Sequence, residues 1–498
     1  MPFPPTTYDI LEVPSFATVE DIRRAYRRQV KQVHPDTSVS DDATRLFQEL
    51  QRAYETLCDP RGRGAYDAQL AAAQKHQQPS AFALSLRASH THLPQSREPQ
   101  MLYVIAEIAH NARSLDATTR RPLVNLCLVL DNSLSMDGAR LLRAQEAASF
   151  LIDQLEPTDI LSVVAFSDRA RTLFSGPSGA NRDTAKEYLR TIQPWGGTEL
   201  LHGLQAGIGE LRRWRRPGTL DHLILLTDGQ TYGDEQACIE AAHEAGQDKL
   251  GLTLLGLGAG WNEQLLDDMA ARSGGYATFI HSPTRLKSIF RERFKELSDV
   301  VARALQIGLH SNEAAEVQNV FRLTPDIARV QLDGSQLLLG DLEAGRPIRV
   351  LIELLVRAAQ PGALRLLRLG LSGELLRVAG EPHAETEAEV AITVSQDTSA
   401  RESPPQDIVD MLARIAAYKI QEKVIADVER GEMARATTRL KNLSTHLMNL
   451  GETELARAAL LEAGTLTRTG HLSDEGRKRI RYGTRALSGT AILGAQKK

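Results

Sequence analysis

Cysteine is scarce in this chain. Its 498 residues hold three, Cys58, Cys127 and Cys238, far apart and never in a CxxC pair. That argues against a cysteine zinc site and against a disulfide framework, and it suits a reducing compartment. Aromatic residues make up only 5%, too few for the stacking platforms that hold single-stranded nucleic acid. Neither sign of charge dominates: 59 basic against 63 acidic side chains leave −4, so no global field draws the chain to nucleic acid. No apolar run approaches the roughly 20 residues that span a bilayer. The opening MPFPPTTYDILEV has no basic or apolar leader region. A cytoplasmic protein with no membrane span and no nucleic-acid partner is expected.

Several chemical signatures are also missing. No GxxxxGK[ST] loop occurs, so no P-loop ATPase is expected. GLGAGW (256–261) puts Trp261 where the last glycine of a dinucleotide loop belongs. HEAGQ (243–247) lacks the second histidine of a zinc protease, and GPSGA (176–180) lacks the last glycine of a nucleophile elbow.

What is present is an ordinary globular hydrophobic content, 42%, on a chain long enough for several cores. Residues 1–72 read as a compact helical unit, and 73–80 as a polar linker. Short strand-like runs such as MLYVIAEIA fill 81–118. Over 119–305, apolar runs (LVNLCLVL, DILSVVAF, LDHLILLT, LGLTLLGLG, GYATFI) alternate with amphipathic helices. That pattern predicts a mostly parallel, doubly wound sheet. Short strands and turns return over 306–397, predicting a β-sandwich or small barrel that 81–118 would join as its first part. Residues 398–470 read as helices interrupted near Gly431, Gly451 and Gly470. The basic end, 471–498 with RKRIRYGTR, reads as a solvated, mobile tail. The expected class is multidomain: an all-α unit, an α/β domain, a flanking β-sandwich and C-terminal helices.

The first constellation lies between two helices. Thr18, three residues before Asp21, has the spacing of a capping box. Ile22, Tyr26, Val30 and Val33 form an inward stripe, while Arg23, Arg27 and Lys31, and Arg24 and Arg28, recur four apart on the outer surface. Pro35 stops the helix, and Leu46, Phe47, Leu50, Ala53, Tyr54 and Leu57 form a second inward stripe. The pair would expose His34, Pro35 and Asp36 at its turn. Together YDILEV, AYRRQVKQVHPD and FQELQRAYETLCDPRGRGAYD resemble the J domain of DnaJ-type co-chaperones over residues 6–68. The resemblance implies docking on a DnaK-type ATPase chaperone and stimulation of its ATP hydrolysis. His34, Pro35 and Asp36 would form the docking loop, and Arg23, Arg24, Arg27, Arg28 and Lys31 the docking face. Val33 stands where the family usually has an aromatic residue, and Thr37 where it usually has a base. The glycine/phenylalanine-rich and cysteine-rich regions of DnaJ have no counterpart, so client choice would come from elsewhere in the chain.

The second constellation is VLDNSLSM, where a buried strand ends in Asp131, Ser133 and Ser135. Thr198 in WGGTEL and Asp228 in LLTDGQ supply two further oxygens from other strand ends, the edge at which open α/β sheets hold ligands. Each piece alone is commonplace: Asp131 by itself would more often be a helix-start group than a ligand. Two carboxylates and three hydroxyls with no histidine or cysteine suit a hard cation such as Mg²⁺. In this order, with SGGYATFI following, the segments resemble the metal-ion-dependent adhesion site of von Willebrand factor type A domains over residues 122–305. The resemblance implies that the two serines and the threonine bind Mg²⁺ (or Mn²⁺) directly. The aspartates would act directly or through water, and a protein partner's acidic side chain would complete the shell. Leu134 stands where many members have glycine. The flanking strands and central α/β block also resemble bacterial type A proteins of the calcium-activated-channel and inter-alpha-inhibitor-like kinds.

The expected function is a non-enzymatic adaptor that brings a DnaK-type chaperone to whatever the type A domain grips. Two rivals differ in class. A metal-dependent phosphoester hydrolase would need a placed general base and a second metal cluster, which the sequence does not offer. A signalling or stress scaffold would leave the J domain incidental.

Overall fold

A computed structural model describes residues 7–11, 13, 17, 19–33, 41–59, 62–64, 66–67, 81–111, 121–179, 181–330, 332, 334–358, 360–376, 383–396 and 403–488. They fall into two compact units, residues 1–80 and 81–498.

The first unit is a helix pair, Val19–Val33 and Asp41–Cys58, with a short helix Thr7–Ile10. Its core joins Tyr8, Leu11 and Ala17 to Ile22 of one long helix and to Leu50, Ala53 and Leu57 of the other. Spacing of three and four residues puts these side chains on facing stripes. Tyr26 and Tyr54 stack across the pair with ring centroids 4.2 Å apart.

At the centre of the second unit is a six-stranded sheet in the order β6-β5-β4-β7-β8-β9. Its strands are β4 (Leu123–Asp131), β5 (Ile160–Phe166), β6 (Ala170–Pro177), β7 (Thr219–Thr227), β8 (Gly251–Leu257) and β9 (Tyr276–Ile280). All neighbouring pairs are parallel except β5–β6, which makes β6 an antiparallel edge. The continuous apolar runs follow from burial of both faces. Val124, Leu126, Leu128 and Leu130 face the helices Ala139–Gln154 and Leu286–Asp299, through Ala144, Leu151 and Phe290. Cys127 and Val129 face Leu204, Ile208, Cys238 and Leu266 on helices of the opposite layer. Each such fully buried aliphatic side chain contributes roughly 1.5–3 kcal/mol.

Strands from both sides of this block share two further sheets. One has the order β1-β3-β14-β11-β12 and the other β13-β10-β15-β16-β2. The first combines β1 (Phe82–Ala88), β3 (Gln100–His110), β11 (Ala315–Arg322), β12 (Ala328–Arg329) and β14 (Ile348–Val356). The second combines β2 (His92–Pro94), β10 (Val300–Ser311), β13 (Gln336–Glu343), β15 (Gly362–Leu375) and β16 (His383–Ser395). Chain from before the α/β block pairs with chain from after it, Gln100–Ile108 of β3 lying antiparallel to Val356–Ile348 of β14. The sheets enclose a core in which Leu102, Val104, Ala106 and Ile108 meet Leu305, Ile307, Leu369 and Leu371. Alternate residues of the first sheet, Ile105, Phe321 and Leu351, point the other way. They pack on Ile408, Ile415 and Tyr418 of the C-terminal helices.

Those helices are Gln406–Glu429, Met433–Asn449, Thr453–Thr469 and Asp474–Arg485. The turns after the first three contain Gly431, Gly451 and Gly470, all at positive φ (78°, 81° and 74°), where glycine alone carries no steric cost. The fourth helix corrects the expectation of a solvated tail. RKRIRYGTR lies within Asp474–Arg485 and is packed against the α/β block: Lys478 is fully buried and Arg481 nearly so. The Lys478 ammonium donates to the carbonyls of Ala259 and Trp261 and lies 3.5 Å from Glu263. Arg481, Tyr482 and Arg485 converge on Asp267. A charged helix can dock this way because each buried charge meets an opposite charge or a carbonyl. The expected tail's last residues, 489–498, lie outside the described residues. Among the described residues no helix is long and apolar enough to cross a membrane.

Candidate functional site

β4 lies between β5 and β7, all running the same way, so their following loops meet at one sheet edge. Asp131 ends β4 and is fully buried. Its Oδ1 accepts from the backbone N–H of Ser133 at 2.8 Å, and its Oδ2 from the hydroxyl of Thr227, the last residue of β7, at 2.6 Å. Ser133 Oγ lies 2.9 Å from Ser135 Oγ, which donates to Asp228 Oδ1 at 2.6 Å. Thr198 packs against Gly229: a Cβ on that glycine would run into the Thr198 hydroxyl. Four of the five candidate ligands are thus linked by hydrogen bonds, and Thr198, from a third segment, stands against the residue that follows Asp228. Asp131, Ser133 and Asp228 are buried, and Ser135 is open to solvent.

The loops are held by groups that the sequence did not single out. Asp168 accepts from Gly197 N–H at 2.6 Å and fixes the turn before Thr198. Trp195 N–H donates to Asn132 O at 2.7 Å, and Leu134 N–H to Gly196 O at 3.2 Å. Arg140, in the first turn of helix Ala139–Gln154, donates to Ser135 O at 3.0 Å and forms an ion pair with Asp228 Oδ2. Its place two residues after Gly138 was visible in the sequence, but the direction of its side chain was not.

Electrostatics favour a positive guest. Burial, with the neighbouring Asp228 carboxylate adding to it, pushes the Asp131 carboxyl up to about 6 against the pull of its hydrogen bonds from Ser133 and Thr227. A buried carboxylate in this state lacks sufficient positive charge nearby. Among the described residues no group of three or more His, Cys, Asp or Glu side chains is placed to hold a metal ion. Hydroxyls would have to complete any set built on Asp131 and Asp228. Oxygen-only donors, two of them carboxylates and one edge facing water, fit a hard divalent cation that keeps water or an exchangeable ligand.

In the first unit, Arg23, Arg24, Arg27 and Arg28 are exposed on helix Val19–Val33, opposite the buried Ile22, Ala25 and Gln29. Arg24 lies 4.0 Å from Asp21. Lys31 belongs to the same helix, but its side chain, and His34, Pro35 and Asp36 altogether, lie outside the described residues.

Three family models match the chain. They are the DnaJ domain over residues 6–67, the von Willebrand factor type A domain over 125–292, and the Sll0103-like C-terminal alpha-helical domain over 406–490. Uncharacterized protein sll0103 of Synechocystis is 29% identical over 342 residues, 67% of this chain and 80% of that protein. Human inter-alpha-trypsin inhibitor heavy chain H4 is 29% identical over 211 residues, and Chaperone protein DnaJ of Thermotoga maritima 50% over 62. These two matches take in 40% and 12% of this chain but only 23% and 17% of the relatives. Among solved structures, von Willebrand factor type A from Catenulispora acidiphila superposes with a TM-score of 0.66 at 19% identity, covering 83% of this chain and 98% of that one. The ArnB paralog VWA2 from Sulfolobus acidocaldarius gives 0.52 at 16% identity, covering 82% and 99%. At these identities both show a shared fold.

Proposed function

We propose that this chain, a J domain followed by a von Willebrand factor type A domain, is a non-enzymatic adaptor that brings a DnaK-type ATPase chaperone to a protein held by the type A domain. The observation that carries the reading is the hydrogen-bonded cluster of Asp131, Ser133, Ser135 and Asp228 at the sheet edge, with Thr198 against it. These five residues would hold Mg²⁺ (or Mn²⁺). Once bound, the ion supplies a positive centre for a carboxylate of the partner. Asp131 and Asp228 balance most of its charge, Thr227 orients Asp131, and Asp168 holds the loop that presents Thr198. The exposed Ser135 edge leaves room for the partner's oxygen.

At the other end, His34, Pro35 and Asp36 would engage the chaperone, with Arg23, Arg24, Arg27, Arg28 and Lys31 as the positive face beside them. This half rests on the J-domain match and on four arginines exposed along one helix. Its strength should decline with salt, because exposed charges are screened over about 8 Å at physiological ionic strength.

The type A half is tested by affinity capture with wild type and Asp131→Ala, each with Mg²⁺ and with chelator. One set of proteins should be retained by wild type with metal and lost in the other three conditions. Retention by the variant, or indifference to chelator, refutes the metal-dependent grip. The variant should stay folded, since Asp131 ends its strand and the apolar runs carry the sheet.

A further inference from the structure

The loops that carry the candidate ligands also carry exposed apolar side chains. In the described part of residues 121–300, five large apolar side chains are exposed: Leu134, Leu142, Tyr188, Trp195 and Tyr232. Three lie on the ligand loops. Leu134, 66% exposed, stands between Ser133 and Ser135; Trp195, 57% exposed, is three residues before Thr198; Tyr232, 78% exposed, is four residues after Asp228.

Their placement is fixed by the lacing of the loops. Leu134 N–H bonds Gly196 O beside Trp195, and Trp195 N–H bonds Asn132 O. The Tyr232 loop is tied in through Thr231, whose hydroxyl accepts from Leu200 N–H at 3.2 Å and donates to Asp234 at 2.6 Å. Asp234 in turn accepts from Leu201 N–H at 3.1 Å. A leucine, a tryptophan and a tyrosine exposed on loops tied together at one sheet edge are grounds for a contact surface there. Tryptophan and tyrosine are also the side chains that most often dominate binding energy. The polar centre of this face would become positive once the cation is held: Asp131 and Asp228 balance the ion's two charges, and Arg140, 41% exposed beside Asp228, adds one more.

We propose that Leu134, Trp195 and Tyr232 form an apolar collar that selects the partner of the metal site. The favoured partner is a protein segment whose metal-directed carboxylate is flanked, within two residues, by a large aliphatic or aromatic side chain. The inference rests on the reading of Asp131, Ser133, Ser135, Thr198 and Asp228 as the cation site. The collar has two effects. It buries the flanking apolar side chain, and it excludes water from the carboxylate–cation contact, which strengthens that contact as the local dielectric falls. In an extended segment side chains two positions apart point the same way and stand about 6.6 Å apart, so a side chain two positions from the acid turns toward the collar. An acidic run flanked by further charges gains the cation contact but leaves the collar unpaired.

The test is a displayed random-peptide library panned on the full chain in Mn²⁺, with Mn²⁺ affinity measured separately by calorimetry. Chelator-released peptides should carry Asp or Glu with a large apolar residue within two positions. Trp195→Ser and Tyr232→Ser should bind the enriched peptide about 10-fold more weakly or worse, with Mn²⁺ affinity unchanged within about twofold. Both sites are exposed, so neither change should disturb folding. Peptides without an apolar preference, no enriched peptide, or full affinity in both variants would overturn the collar while leaving the cation site standing. Failure of wild type to take up Mn²⁺, or enrichment that chelator does not release, would remove the cation site and the collar with it.

Discussion

Lys478→Met isolates what a buried charge does in docking the last helix. The side chain is 1% exposed, and its ammonium donates to Trp261 O at 2.7 Å and to Ala259 O. It also sits 4.7 Å from the centre of the Trp261 ring and 3.5 Å from Glu263 Oε2. Methionine keeps the stem over Trp261 and deletes the donors. Breaking a buried ion pair by removing one partner costs about 3–5 kcal/mol. Two features reduce that figure here. Glu263 keeps a second cation, Arg477, at 2.5 Å, and burial already holds the Lys478 ammonium below its ordinary pKa, a penalty the variant no longer carries. What remains is two carbonyls stripped of donors, at roughly 1 kcal/mol or more each, so about 2 kcal/mol is expected. Arg481 and Arg485 still hold Asp267, so the helix should loosen rather than leave. Hydrogen exchange read by mass spectrometry suits a multidomain chain for which one unfolding free energy is ill defined. Amides of residues 476–485 should exchange roughly 30-fold faster in the variant, the equivalent of about 2 kcal/mol. The helix Val19–Val33, in the other compact unit, should be unchanged. Exchange within about threefold of wild type over 476–485 would refute the assignment of Lys478 as a docking charge.

Arg140→Gln should tighten Mn²⁺ binding by roughly fivefold in calorimetry, because it removes a half-exposed charge pair worth up to about 1 kcal/mol from a candidate ligand; weaker binding would show that the guanidinium supports the site. His222 is buried, and desolvation, with the charge of Arg293 adding to it, lowers its pKa to about 3. Its unfolded value is about 6.5, so the unfolded chain takes up the proton first, and stability present above pH 6.5 is lost as pH falls toward 3. That loss is about 3 kcal/mol by pH 4.5; His222→Gln should show a correspondingly flatter acid limb in thermal unfolding, and an identical limb would contradict it. His34→Gln should abolish stimulation of ATP turnover by the cognate DnaK-type chaperone with helical circular dichroism unchanged, and undiminished stimulation would sink the J-domain half of the proposal.

The sequence by itself determined the fold class, because local pattern carried it. An apolar run such as LVNLCLVLD has to be a strand covered on both faces. Gly431, Gly451 and Gly470 mark helix ends because other residues resist a positive φ. The candidate ligands were legible for a similar reason: a carboxylate and hydroxyls at every second residue after a buried strand are out of place in a core. Tertiary structure alone decided which distant groups complete that edge. Thr227 on Asp131, Asp168 under the Gly197 turn and Arg140 on Asp228 are pairings between segments whose separation has no periodicity. It also decided the fate of RKRIRYGTR. On composition alone, three charges in a row read as a solvated tail, since a lone buried ammonium is prohibitively costly. The fold lowers that cost by bringing Glu263, Asp267 and two backbone carbonyls, more than 200 residues earlier, to the face where Lys478, Arg481 and Arg485 dock. Residue type sets how much a charge costs to bury; only the folded chain sets whether its counter-charge is there.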